Sequence, residues 1–77
     1  MTREEAIQKL LEIDPEFKEW YEEHEELKWK VHKLDKHNPP DPDLEAEEQR
    51  LKRRKLYLKD LMEVRIKEFI AKNEQAA

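Results

Sequence analysis

The apolar residues of this chain are sparse, and they recur at helical intervals. Phe17, Trp20, His24, Leu27, Val31 and Leu34 follow one another in steps of 3, 4, 3, 4 and 3, the spacing of an unbroken a/d seam on one helix face. Leu44, Glu48, Leu51, Lys55, Leu58, Met62, Arg65 and Phe69 continue the same rhythm further along. Three members of that second seam are charged, so it is the weaker one, and Leu61, Ile66 and Ile70 widen it on one side. A shorter stripe, Ile7, Leu10 and Leu11, precedes both.

Helix punctuation divides these stripes into three elements. Thr2 with Glu5 three residues on makes a capping box, in which the hydroxyl takes a backbone N–H and the carboxylate reaches back to the cap. Pro15 restricts the residue before it, so the first helix stops near Ile13. Asp14-Pro15-Glu16-Phe17 starts the next helix, with Asp at the cap, Pro at the first position and Glu near the positive end of the helix dipole. Asp41-Pro42-Asp43-Leu44 repeats that grammar. Between the two starts lies Lys36-His37-Asn38-Pro39-Pro40, where Asn38 suits a left-handed cap and the prolines forbid continuation. The spacing predicts helices over about 3–13, 15–37 and 42–72, with 73–77 frayed.

A short connection forces the two long helices antiparallel, with facing residues whose numbers sum to roughly 82. Val31 then meets Leu51, Leu27 meets Lys55, His24 meets Leu58, Trp20 meets Met62 and Phe17 meets Arg65. Lys55 and Arg65 are expected to lay their stems on the seam and keep their charges in water. On the same register the first helix can fold back on Ile66, Phe69 and Ile70. The expected architecture is all-α: an antiparallel helical hairpin with a short extra N-terminal helix, as one domain over 1–77.

Composition changes this picture in two ways. Chains below ~80 residues rarely bury a core contributing more than ~3–5 kcal/mol, and this one of 77 residues has no cysteine with which to add a disulfide or thiolate metal site. Good helix packing or self-association must make up the difference. Glycine is also absent, which excludes phosphate-cradling and dinucleotide-binding loops. With 47% charged residues, disorder is a real alternative, and the periodicity of the apolar residues argues against it. No apolar run approaches the ~20 residues of a membrane span. The acidic N-terminal stretch has no secretory h-region, so a cytoplasmic location is expected.

Leu51-Lys52-Arg53-Arg54-Lys55-Leu56-Tyr57-Leu58-Lys59-Asp60-Leu61-Met62 resembles the signature of the YdcH-like family of small uncharacterised bacterial proteins, loosely L-K-K-x-K-L-x-L-K-D-E-I. Pro15, Phe17, His24 and Leu27 match its upstream P-x-F-x-x-x-x-x-x-H-x-x-L stretch. Lys28 stands where the family usually has Asp, and Leu61-Met62 where it has Glu-Ile. The resemblance extends over roughly residues 5–70. It implies a helical hairpin of coiled-coil character and no particular activity.

Candidate chemistry is thin. His24, His32 and His37 are 8 and 5 residues apart, which does not put two ligands on one helix face, so no metal or cofactor is expected. His24 falls on the seam, where a half-buried imidazole is ordinary. There is no serine, Thr2 is the only aliphatic hydroxyl, and a two-layer hairpin offers no desolvating pocket, so neither an enzyme nor a small-molecule substrate is expected. Lys28, Lys30, Arg50, Lys52, Arg53 and Arg54 form a candidate polyanion patch in the middle of the hairpin. A solvated face laced with pairs such as Glu26–Lys30 and Glu48–Lys52 explains the same residues, and the net charge of −4 disfavours nonspecific nucleic-acid binding. Trp29, Leu56 and Tyr57 face away from the seam, and Tyr21 flanks it. Large apolar residues so placed make a candidate protein interface, with a second copy or another protein as partner.

Overall fold

In the computed structural model, which describes residues 1–36 and 41–76, the last two of these by their backbone alone, three helices follow one another: α1 (Arg3–Ile13), α2 (Pro15–Asp35) and α3 (Pro42–Ala76). The long helices α2 and α3 pack against each other as an antiparallel hairpin, and α1 folds back against both. At ~1.5 Å per residue a helix of 35 residues spans about 53 Å, close to the 56 Å long axis of the molecule. The radius of gyration is 15.9 Å, against about 11–12 Å for a compact globule of this length. The protein is a rod one helix long.

Local chemistry fixes the helix starts. The Glu5 amide donates to Thr2 Oγ1 at 3.2 Å, while the Glu5 carboxylate accepts from the Thr2 hydroxyl rather than from the cap's backbone amide. Asp14 is the whole junction between α1 and α2. Its own amide donates to the Leu10 carbonyl at 2.8 Å and so closes α1. Its Oδ1 accepts from the amides of Glu16 and Phe17, each at 3.1 Å, and so opens α2. Extended backbone at this one residue (φ −118°, ψ 100°) turns the chain. Asp41 caps α3 through the Asp43 amide at 2.9 Å.

Two helix ends differ from the expected limits. α2 stops at Asp35 rather than 37: the Lys36 amide turns back to the Lys33 carbonyl at 3.3 Å, a tighter i to i−3 bond that ends the α-helical ladder. α3 runs on to Ala76, past the expected end at 72. No proline or glycine interrupts this stretch, and Asn73 donates its side-chain amide to the Phe69 carbonyl at 2.9 Å. The expected cap at Asn38 and the turn at Pro39-Pro40 lie outside the described residues, as does His37.

The core sits at one end of the rod. Ala6, Leu10, Phe17, Met62 and Ile66 form a buried cluster, with Ile7, Leu11, Trp20, Tyr21, Phe69 and Ile70 packed on it. Three helices meet there, and α1 does pack on the C-terminal half of α3. Ala6 is fully buried, because a methyl side chain lets α1 approach its neighbours closely. Ile66 is buried at 3% exposure, whereas Arg65, the expected seam residue, is half-buried. Docking α1 beside α3 widens the buried arc towards Ile66. Nearer the turn only two helices are in contact, and Leu27, Val31 and Leu58 are the buried residues.

Candidate interaction surface

Ion pairs tie the helices together along both flanks of the hairpin. On the flank that carries α1, Arg3 forms a bidentate pair with Glu63. On the opposite flank, Arg54 reaches Glu23 at 2.6 Å and lies over the Tyr57 ring at 5.4 Å. Arg65 joins all three helix segments at the α1/α2 junction. It bonds Asp14, reaches Glu16 at 2.7 Å and lies 4.8 Å over the Trp20 ring. The partners Arg65–Glu16, Arg65–Trp20 and Arg54–Glu23 bracket the expected register of the hairpin. Arg65 is half-buried with its guanidinium paired to Asp14 and Glu16 at the surface, and Phe17 lies in one buried cluster with Met62 and Ile66.

The four candidate interface residues do not form one patch. Tyr21 and Leu56 line the same shallow groove between α2 and α3 on the α1 flank, with Phe17 and Met62 at its base. Trp29 lines an adjoining depression that shares Glu25, Lys28 and Lys55 with that groove. It is 64% exposed and meets the His32 ring edge to face at 6.2 Å. Tyr57 is 54% exposed and turns towards Arg54 on the other flank. Leu56 and Tyr57 thus bracket the outward ridge of α3. One exposed apolar residue on that helix escaped the sequence reading: Val64, 56% exposed, a turn beyond Asp60. An a/d count starting from buried positions passes over it, and a count of the outward positions finds it.

The candidate polyanion patch is partly neutralised. Lys30 pairs with Glu26 at 3.3 Å and Lys52 with Glu48 at 3.0 Å, the two helical pairs expected on a solvated face. Arg54 is held by Glu23. Among the described residues Lys28, Arg50 and Arg53 have no ion pair. Likewise among those residues, no group of three or more His, Asp or Glu side chains is arranged to hold a metal ion, and no helix is long and apolar enough to cross a membrane.

His24 is half-buried on the seam. Burial pushes its imidazole below the ordinary value of 6.5, and Lys55, Lys28 and Lys59 push the same way against Glu25. Three carboxyls also lie below their ordinary range. At Asp14 burial opposes the shift, and the amides of Phe17 and Glu16 with the Arg65 guanidinium outweigh it. Glu23 is held down chiefly by its bond from Arg54, and Glu63 by its bond from Arg3. All four groups bind protons more readily when unfolded. Each contributes stability that is complete above its unfolded pKa and is lost as pH falls towards the folded one. The thermal midpoint should therefore hold level above neutrality, drop once beneath pH 6.5 as His24 is protonated, and drop again beneath about 4 as the carboxyls are. A melting series across pH reads both steps. His24→Gln should remove the first alone, and a variant that kept it would refute the assignment.

A family model of proteins of unknown function, DUF465, matches residues 17–68. The chain belongs to the DUF465 family. The matched stretch runs from the fully buried Phe17 to Glu68, so it covers most of α2 and α3 and leaves α1 outside. The YdcH-like signature falls within it. No curated protein and no solved structure matches the chain. Over this stretch the chain forms a helical hairpin, and the family's description names no activity.

Proposed function

We propose that this DUF465 protein is a non-catalytic cytoplasmic module that works by association, its hairpin packing beside a second hairpin as in a four-helix bundle. The observation that carries this reading is the outward side of α3, where the neighbours Leu56 and Tyr57, and Val64 two turns further on, each leave more than half of their surface in water. Trp29 adds a further exposed ring on α2. A chain with so small a core gains from covering such residues, and burying about 25 cal/mol per Å² favours doing so.

Sedimentation equilibrium across a wide concentration series tests this. The mean mass should climb from one chain towards two, and Leu56→Ala should move the climb to higher concentration. A strict monomer at every concentration would remove the reading. The alternative, a polyanion-binding accessory role for the basic middle of the hairpin, is weakened by the carboxylates already paired with Lys30, Lys52 and Arg54.

A further inference from the structure

The outward ridge of α3 has a pattern of its own. Ala46, Gln49, Arg53, Leu56 with Tyr57, Asp60, Val64 and Lys67 recur in steps of three and four, and every one of them is exposed. They lie opposite the buried line of Leu58, Met62 and Ile66. Apolar side chains stand at its centre, and one charge of each sign flanks them: Arg53 a turn before, Asp60 a turn after. Neither Arg53 nor Asp60 has an ion pair among the described residues. They are two turns apart, about 10 Å along the helix, too far to pair within one chain.

This arrangement is self-complementary. Turned end for end about the point between Leu56 and Tyr57, the ridge places Arg53 on Asp60 and Asp60 on Arg53. The same operation gathers Leu56 and Tyr57 of both copies about the axis. It sets Val64 opposite Gln49 and Ala46 opposite Lys67, so no like charges meet along the ridge. A parallel arrangement would instead stack Arg53 on Arg53 and Asp60 on Asp60. Isologous dimers form when one patch complements itself across a two-fold axis, and complementary charge then fixes register and excludes other pairings.

We infer that the partner seated on this ridge is a second copy of the chain, antiparallel to the first, with the two-fold axis between Leu56 and Tyr57 and reciprocal Arg53–Asp60 ion pairs on either side of it. This rests on the reading that the protein self-associates, and it adds the surface, the orientation and the register. A nucleic acid does not suit the ridge, because Asp60 stands on it one turn from the centre and would face phosphate.

Charge reversal on the full chain tests it by sedimentation equilibrium. Arg53→Asp and Asp60→Arg should each weaken the wild-type dimer by about tenfold or more, since two attractive pairs become two repulsive ones. Mixing the two variants in equal amounts should restore association, because every acidic partner then faces a basic one and the mixed dimer is preferred over either parent. The double variant should also associate as the wild type does. Both positions are exposed, and unchanged far-UV circular dichroism checks that the helices persist. If wild type dimerises and the single variants dimerise equally well, the register is wrong while self-association stands. Single variants that weaken association without rescue in the mixture overturn the reciprocal pair. A wild type that stays monomeric overturns the inference together with the reading beneath it.

Discussion

Phe17→Ala should abolish the cooperative unfolding transition at 25 °C. Phe17 is fully buried between Ala6, Leu10, Met62 and Ile66, one residue at the meeting point of all three helices. Truncating a buried phenylalanine typically costs about 3–5 kcal/mol, as lost transfer energy and a residual cavity. A domain this small holds about that much stability in total. The Arg3–Glu63 and Arg65–Asp14 pairs lie at the surface on either side of this residue and do not substitute for its packing. Urea titration followed by circular dichroism reads the result. A variant that unfolds cooperatively within about 1 kcal/mol of wild type would mean the core lies elsewhere. Trp29→Ala, at a residue 64% exposed, is the control and should leave monomer stability nearly unchanged.

Asp14→Ala should cost roughly 2 kcal/mol, more than is usual for a polar residue near the surface. Loss of a helix cap costs about 1 kcal/mol. Here the cap satisfies two amides of α2, and the same carboxylate anchors Arg65 in a partly buried pair. Removing it frees an arginine that lies over Trp20 and weakens the fold at the joint between α1 and α2. Asp14→Asn separates the contributions, since the amide oxygen can still cap but the charge is gone. It should retain more than half of the stability that Asp14→Ala loses. Asp41→Ala, which removes a cap with no arginine behind it, should cost only the capping share of about 1 kcal/mol. Equal losses at Asp14 and Asp41 would show that the Arg65 pair contributes nothing.

What could be read from the sequence was what is local. Thr2, Asp14 and Asp41 announce helix starts because a cap is decided within three residues. The seam from Phe17 to Leu34 was legible because it is strictly periodic, and each of its members is buried or half-buried. The assignments that changed depend on the third helix. Nothing near Arg65 indicates that it will bond Asp14, 51 residues away. Nothing near Ala6 singles it out from the larger Ile7 beside it, because its value lies in what it lets α1 approach. Of the candidate surface, the exposure of Trp29, Leu56 and Tyr57 was evident from phase alone. That Leu56 and Tyr57 flank a ridge, with Arg53 and Asp60 symmetric about it, emerged only once the buried line of α3 was fixed.

The lopsided core also governs how the chain finds its structure. A hairpin ordinarily zips from its turn, closing short loops first and gaining contacts at each step. Here the two-helix end nearest the turn offers Leu27, Val31 and Leu58, while the densest packing waits at the far end. Arg65 meets Asp14 across 51 residues and Arg3 meets Glu63 across 60. The entropy of ordering those loops must be met before the largest gain arrives. For a helical protein the rate-limiting ensemble should therefore be late and extensive, with α2 and α3 already aligned along most of their length and α1 still undocked.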